Sequence, residues 1–230
     1  MLVGGRARAF VVAVLAGGLL AGCGVPTGST TTDPTSAHVT DDGSSTGGSG
    51  GGSGGGSAGG DLAAVVVAPD GPATGYDRLG DFGEWSTTAP GCDTRDTVLA
   101  RDLTATTVRR GCDVTAGTLH SPYSGATLTG PSRSVQIDHR VPLALAWRTG
   151  AARWTRTQRV AFANDPLELV AVEGTLNGSK GDSGPESWAP PTGRCRYAHA
   201  FVAVLVKYRL TATSARRTAL GRMMATCPSG

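Results

Sequence analysis

Apolar residues recur at the three- and four-residue spacing of α-helices in five stretches of the chain. The predicted helices are Thr94 to Leu103, Leu143 to Trp147, Thr155 to Ala163, Tyr197 to Lys207 and Thr213 to Ala225. Asp93 is a favourable N-cap for the first of these helices. Asn164-Asp165-Pro166 ends the third, because the residue before a proline disfavours helical backbone. The last two helices are expected to support the core.

Short apolar or alternating runs between these helices predict β-strands. The predicted strands are Thr107 to Arg109, Cys112 to Val114, Ala126 to Leu128, Ser134 to Ile137 and Leu167 to Val172. A short helix over Glu173 to Gly178 follows the last strand. Tyr76 to Phe82 is interpreted as a loosely packed entry loop laid over the core. Together these elements predict an α+β domain.

The N-terminus has the pattern of an export signal. Arg6 and Arg8 precede an apolar segment from Ala9 to Leu20, which is too short for a stable membrane span. The segment ends in Leu20-Ala21-Gly22-Cys23, which resembles the bacterial lipobox. We therefore predict a lipoprotein-type signal peptide over residues 1–23 with lipidation at Cys23. An ordinary signal peptide with a coincidental cysteine is the alternative.

The residues after Cys23 indicate a tether. Residues 24–61 are rich in Gly, Ser and Thr and include the run SSTGGSGGGSGGGSAGG. Such a tract buries no apolar surface and behaves as a flexible coil. Residues 62–230 remain, which is the size of one domain.

Four cysteines remain when Cys23 is set aside, namely Cys92, Cys112, Cys195 and Cys227. An even number in an exported chain favours two disulfides. The spacings of 20 and 32 residues do not resemble the paired knuckles of a structural zinc site. Three pairings are possible. We favour Cys92–Cys112 and Cys195–Cys227, because each would close a local loop around a predicted helix.

Charge is compatible with a polyanionic partner. From residue 62 onward the chain carries 19 Lys and Arg against 14 Asp and Glu, and only two of the cations are lysines. Arginine suits phosphate recognition through its planar fork. A GC-rich genome would give the same arginine bias, so the charge permits a nucleic-acid substrate without establishing one.

The candidate chemistry lies between Val135 and Asp182. Asp138 and His139 stand side by side after a predicted strand, Asn164 follows 25 residues beyond the histidine, and Asn177 and Lys180 close the segment. Hydrolysis of a phosphodiester requires a general base for the attacking water and a cation for the developing charge. We predict His139 as the base and Asp138 with Asn177 as oxygen ligands of a divalent metal.

Three further side chains complete the predicted site. Asn164 would hold the loop or orient the imidazole through hydrogen bonds. Lys180 and Arg140 would meet phosphate oxygens of the substrate. Each of these residues alone is weak evidence, but their order along a strand, a second strand and a helix is specific.

The segment IDHRVPLALAW…FANDPLELVAVEGTLNGSKGD resembles the HNH, or His-Me finger, nuclease motif. More closely, residues 76–227 resemble exported HNH endonucleases related to the C-terminal domain of GmrSD-type restriction endonucleases. The flanking strings CDTRDTVLARDL, PYSG, GDSGPESWAPP and CRYAHAFVAVLVKYRL support this resemblance. It implies a ββα-metal core, with His139 as the base and Asn164 as the middle Asn of the motif.

The resemblance also implies the cofactor. Asp138 and Asn177 match the metal ligands, and an Asn in place of the final His implies Mg²⁺ or Mn²⁺ rather than a soft metal. No CxxC knuckles flank the motif, so the disulfides would supply that structural support.

These observations predict a metal-dependent endonuclease that acts on nucleic acid outside the cytoplasm, with DNA favoured over RNA as the substrate. It would be lipid-anchored to the outer face of the cell membrane, or secreted if Cys23 is not lipidated. No protein partner is predicted. Two alternatives stay open, namely a catalytically idle interaction module anchored at the surface and a hydrolase of phosphodiester polymers of the cell envelope.

Overall fold

A computed structural model describes residues 61–228 of the chain. The predicted signal peptide, its Cys23 and nearly all of the predicted tether lie outside the described residues, so these assignments stay predictions. Within residues 61–228, no helix combines the length and the apolar character needed to cross a bilayer.

The described part contains seven α-helices and seven β-strands. The helices are α1 (Arg78–Phe82), α2 (Thr94–Asp102), α3 (Leu143–Thr149), α4 (Arg156–Ala163), α5 (Gly174–Lys180), α6 (Arg194–Tyr208) and α7 (Ser214–Met224). The strands are β1 (Thr87–Ala89), β2 (Cys92–Asp93), β3 (Leu103–Arg109), β4 (Asp113–His120), β5 (Thr127–Gly130), β6 (Val135–His139) and β7 (Leu169–Glu173). Short 3-10 turns cover Leu62–Ala64 and Ala151–Arg153.

The strands form three small antiparallel sheets, β1–β2, β3–β4–β5 and β6–β7. This mixture of helices and small sheets confirms the predicted α+β fold class. The predicted strands on either side of Gly111 belong to a hairpin that is longer than expected, because β3 already begins at Leu103. Exposed residues fill most of β3, and three of its seven residues are threonines, so its apolar pattern is weak.

The antiparallel pair of β6 and β7, which carries Asp138 and His139, is packed on both faces. Leu169 and Ala171 of β7 pack with Val98 of α2, on the side of the three-stranded sheet. Val170 and Val172 point the other way, into the larger core formed with α3, α4, α6 and α7. Because side chains alternate along a strand, one hairpin separates two apolar clusters.

The turn from β7 into α5 is tight. The helix begins directly at Gly174, without an intervening loop. A Cβ at this position would lie 2.8 Å from the carbonyl oxygen of Arg133 and 2.9 Å from Nε2 of Gln136. Glycine therefore allows α5 to pack closely against the start of β6, which brings the predicted residues of β6 and α5 together.

Both predicted disulfides are present. Cys92 is bonded to Cys112, which joins β2 to the tip of the β3–β4 hairpin. Cys195 is bonded to Cys227, which joins the first turn of α6 to the segment after α7. The second bond closes a loop of 32 residues. Such a crosslink stabilises a domain by ~3 kcal/mol, chiefly by restricting the unfolded chain.

The interpretation of Tyr76 to Phe82 as a loosely packed loop was wrong. Residues 78–82 form α1, and Asp77 caps it by accepting from the amide of Leu79. Phe82 is fully buried and packs against Phe162 of α4, with ring centroids 6.3 Å apart. Asp81 forms a salt bridge of 3.1 Å with Arg159 of α4. One aromatic side chain and one ion pair therefore attach this segment firmly, although its sequence is too short to show helical periodicity.

The packing of α1 generates a prediction about stability. Replacing Phe82 by Ala is expected to lower the free energy of unfolding by ~3–5 kcal/mol, since it removes a fully buried aromatic ring. Leu79→Ala in the same helix is the control, because that side chain is 54% exposed and should change stability by no more than about 0.5 kcal/mol. Urea denaturation of both variants measures the difference. Equal effects would show that α1 does not anchor through Phe82.

Candidate active site

His139 occupies the last position of β6 and is only 6% exposed. Its Nε2 atom lies 3.0 Å from the carbonyl oxygen of Ala163. A carbonyl oxygen only accepts hydrogen bonds, so Nε2 carries the proton and, in the neutral ring, Nδ1 bears the lone pair. Within the described residues Nδ1 has no hydrogen-bond partner and is not among the buried unsatisfied atoms. The neutral histidine is thus held as the tautomer that carries its proton on Nε2 and leaves Nδ1 unprotonated.

Trp85 covers one face of this imidazole. The two rings are nearly parallel, with an interplanar angle of 6° and centroids 5.6 Å apart. Together with the Ala163 bond, the stacking fixes both the plane and the rotation of the ring.

Burial is the main cause of a low pKa at His139. Desolvation, the positive charge of Arg78 and, to a smaller extent, that of Lys180 lower the pKa from 6.5 to about 3, although the bond to Ala163 acts in the opposite direction. The imidazole is therefore neutral at neutral pH, with its lone pair available.

Asp138 points to the opposite face of β6 and is only 4% exposed. Its Oδ1 and Oδ2 atoms accept hydrogen bonds of 2.8 and 3.0 Å from the ammonium of Lys180. The hydroxyl of Tyr123 donates a further bond of 2.5 Å to Oδ2. Burial, together with the charge of Asp138, raises the pKa of Tyr123 well above its usual range, so this phenol remains a donor.

Lys180 does not occupy the position expected of a phosphate-binding residue. It is 1% exposed, and its third hydrogen bond, of 2.7 Å, reaches the carbonyl oxygen of His139. All three ammonium protons are therefore used inside the protein. In this structure Lys180 connects the C-terminal end of α5 to Asp138 and His139, and its ammonium does not face a substrate.

Arg140 is bonded to the backbone near β7. Its Nε atom donates to the carbonyl oxygen of Leu167, 3.1 Å away, in the segment before β7. Next to it, the fully buried Glu168 accepts two bonds, of 3.1 and 3.3 Å, from the amide of Val141. Burial raises the pKa of Glu168 well above its usual range. Both side chains brace the turn that follows His139.

Asn164 holds a loop and makes no hydrogen bond with the imidazole. Its Oδ1 atom accepts a bond of 2.8 Å from the amide of Ser86, and its Nδ2 atom donates to the carbonyl oxygen of Glu84 over 3.3 Å. These bonds flank Trp85 on both sides. Of the two roles predicted for Asn164, the loop-holding role matches the geometry, and the preceding residue, Ala163, orients the histidine.

Asn177 lies in the middle of α5 and faces β6. Its Nδ2 atom donates to Oε1 of Gln136 over 2.9 Å, which leaves its own Oδ1 atom directed elsewhere. The Asn177 side chain lines an open cleft together with Asp138 and His139, so the structure brings the three central predicted residues to one place. The other lining residues are Tyr76, Arg78, Ile137, Pro142, Leu143, Gly181 and Asp182.

Sequence reasoning missed three contributors to this site: Arg78, Trp85 and Tyr123. Arg78 and Trp85 precede the predicted motif by more than 50 residues, and no spacing rule connects them to His139. Tyr123 lies in the PYSG string, which is turn-like and gives no sign of a buried hydroxyl. The only sequence signal for Arg78 and Trp85 was the presence of aromatic and charged residues in a loop-like segment, in the strings Tyr-x-Arg (76–78) and Gly-Glu-Trp (83–85).

The low pKa of His139 predicts a pH dependence of stability. The folded pKa of about 3 lies below the unfolded value of 6.5. The unfolded chain therefore binds the extra proton first, and stability falls as pH decreases from about 6.5 toward 3. Between pH 7.5 and pH 5, His139 should account for a loss of about 2 kcal/mol.

Urea denaturation of the wild type and of His139→Gln at these two pH values measures this contribution. The wild type should lose about 2 kcal/mol more than His139→Gln. The exposed His120 supplies the control, since His120→Gln should follow the wild type. Equal pH dependence in wild type and His139→Gln would mean that His139 is not held neutral by the fold.

Comparison with known proteins places the chain in a family. Residues 93–223 match the family described as GmrSD restriction endonucleases, C-terminal domain. A protein of Arthroderma benhamiae described as an uncharacterized secreted protein is 46% identical over 170 residues, which cover 72% of this chain and 82% of that protein. No solved structure matches the chain. The chain belongs to the family of GmrSD restriction endonuclease C-terminal domains, a nuclease-related family, as its sequence predicted.

Proposed function

We propose that this protein is a metal-dependent endonuclease of the HNH, or His-Me finger, type that hydrolyses phosphodiester bonds of DNA. The observation that carries the proposal is the state of His139. Its Nε2 proton is committed to Ala163 while the ring lines an open cleft with Asp138 and Asn177. A buried, oriented and neutral imidazole at the edge of a polar cleft is suited to remove a proton from a water molecule.

The structure supports a defined role for the imidazole in this reaction. Nδ1 would accept a proton from water as the oxygen attacks the phosphorus, and the ring would then carry the positive charge. The charge of an approaching phosphodiester raises the pKa of the imidazole, which moves its basicity toward neutral pH. The carbonyl of Ala163 can still accept from Nε2 when the ring is protonated, so the orientation persists through the step.

The donors in the cleft fit a hard divalent cation. The side chains of Asp138 and Asn177 present oxygen atoms, which Mg²⁺ and Mn²⁺ prefer. A carboxylate offers about four lone-pair positions, and Lys180 and Tyr123 occupy three of those on Asp138. We infer that Asp138 and Asn177 would hold Mg²⁺ or Mn²⁺. When bound, the cation would stabilise negative charge on the scissile phosphate and the leaving oxygen.

The net charge of the domain is compatible with nucleic acid, and the family to which the chain belongs is nuclease-related. We propose DNA as the substrate, because the family description names restriction endonucleases. RNA and envelope phosphodiesters contain the same reactive group, so they are the substrates to compare with DNA.

An extracytoplasmic location is part of the proposal. The domain contains two disulfides, which persist in oxidising compartments. The relative from Arthroderma benhamiae is described as secreted. Lipid anchoring through Cys23 is the finer proposal, and it can be checked by metabolic labelling with a fatty acid and loss of the label in Cys23→Ser.

The proposed base generates a direct prediction. Purified protein is expected to nick supercoiled plasmid DNA in the presence of Mg²⁺ or Mn²⁺, and His139→Ala should lower the rate by ~10²–10⁴-fold, the range supplied by general base catalysis. His120→Ala is the matched control, because that exposed imidazole lies on β4 outside the cleft and should leave the rate unchanged. Agarose-gel quantification of nicked plasmid gives both rates.

Three results would contradict all or part of this proposal. Undiminished nicking by folded His139→Ala would remove His139 as the base. A wild type that cleaves neither DNA nor RNA with any divalent metal would favour the idle interaction module. Activity only toward an envelope phosphodiester polymer would retain the chemistry and replace the substrate.

The proposed metal ligand is tested separately from turnover. Asn177→Ala should weaken Mn²⁺ binding by at least about tenfold, the smallest loss typical of the residues around a metal site. Isothermal titration calorimetry measures this affinity without substrate. Thr175→Ala, an exposed substitution in the same helix, should bind Mn²⁺ as the wild type does. Equal affinities in all three proteins would exclude Asn177 as a ligand.

A further inference from the structure

Arg78 is the first residue of α1 and its side chain is exposed. Within residues 61–228 its guanidinium forms no salt bridge, whereas Arg159, Lys180 and Arg216 all do. An arginine whose planar fork has no carboxylate partner remains available to bind an anion from solution.

Arg78 lies between two cavities that flank His139. One is the cleft that contains Asp138, His139 and Asn177, and Arg78 is the only cation among the described residues that line it. The other is a smaller cavity on the side of Trp85 and Asn164. Only Arg78, His139 and Leu143 line both cavities. Arg78 therefore borders the cavity on each side of the imidazole.

The other cations once expected to meet substrate are already engaged. Lys180 directs its three ammonium protons at Asp138 and the carbonyl of His139. Arg140 donates from Nε to Leu167 and lines neither cavity. A cationic side chain would hold the phosphate in addition to the metal, and Arg78 is the only one among the described residues that line the cleft.

The helix that carries Arg78 is fixed to the body of the domain. Phe82 is buried in the larger core, and Asp81 is paired with Arg159 of α4. Arg156 of the same helix donates from Nε to the carbonyl oxygen of Gly80 over 2.9 Å. The backbone position of Arg78 is therefore set before substrate arrives, so only its side chain has to be ordered on binding.

Charges around the cleft indicate where an anion would lie. The carboxylate of Asp138 is compensated by Lys180, but Asp182 lines the same cleft and Glu84 lines the smaller cavity. An anion is repelled by both of these carboxylates and attracted by Arg78. Arg78 also lines both of the cavities that His139 lines, which places its charge close to the imidazole.

We propose that Arg78 forms a phosphate-binding subsite beside His139 and holds the DNA backbone at the bond to be cut. This inference rests on the proposed function. It adds a substrate contact from residues that precede the family match, which begins at residue 93. A guanidinium can donate two parallel hydrogen bonds to the non-bridging oxygens of one phosphate, which fixes its orientation as well as its position.

Binding and cleavage by the full-length protein test this subsite separately. The binding probe is a short DNA duplex in EDTA, titrated by fluorescence anisotropy at several salt concentrations. Arg78→Ala should weaken binding and reduce the slope of log affinity against log salt by about one, because one phosphate contact is lost. With Mg²⁺ or Mn²⁺, its kcat/KM should fall by about 10²-fold, as for other donors that stabilise a transition state.

Two variants make the result specific. Arg78→Lys keeps the charge and loses the fork, so it should restore the salt slope but recover only part of kcat/KM. Arg196→Ala removes an exposed charge from α6, outside both cavities, and should leave binding and cleavage unchanged. The thermal unfolding midpoint of Arg78→Ala should equal that of the wild type, which excludes misfolding.

The outcomes separate this subsite from the proposed function. A wild type that binds DNA but cleaves nothing, with binding and salt slope reduced in Arg78→Ala, would retain the subsite and remove the endonuclease proposal. Active wild type with unchanged binding, salt slope and kcat/KM in Arg78→Ala would remove the subsite alone. If Arg196→Ala lost as much DNA binding and cleavage as Arg78→Ala, general charge attraction would account for the effect. That result would also overturn the subsite. A wild type that neither binds nor cleaves DNA would contradict both.

Discussion

The buried ion pair between Lys180 and Asp138 is the interaction on which the site depends. It ties the end of α5 to β6, and the third Lys180 hydrogen bond extends the connection to the backbone of His139. Removing one partner from such a pair typically costs ~3–5 kcal/mol, since the other charge stays buried without compensation. Tyr123 supplies a further donor to the same carboxylate. The relative position of strand and helix is therefore set by electrostatics as well as by apolar packing.

Three consecutive residues at the end of α4 connect the site to the rest of the domain. The carbonyl of Ala163 holds the imidazole, and Asn164 holds the loop whose tryptophan stacks on it. The carboxylate of Asp165 accepts hydrogen bonds from Lys207 and Tyr208 at the end of α6. The orientation of His139 consequently depends on α6, which is far along the chain. The supporting helices therefore contribute to the geometry of the candidate site.

Much of the architecture could be predicted because local patterns determine it. The helices around Val98 and Phe201, the strand that ends at His139 and both disulfides followed from periodicity, caps and cysteine spacing. The direction of the charged side chains could not be predicted in this way. Lys180 was expected at the substrate and lies buried, since its position depends on a carboxylate that only the folded chain brings near. Arg78 was overlooked because only the folded chain brings it beside His139.

The attachment of α1 to α4 has a consequence for where this folded unit begins. The sequence match to the family starts at residue 93, yet Phe82 and Trp85 fill space against the larger core and against the imidazole. A fragment cut at the start of the match would keep Asp138, His139 and Asn177 while exposing apolar surface and leaving the imidazole uncovered on one face. For this chain, the boundary of sequence similarity and the boundary of cooperative folding are different positions.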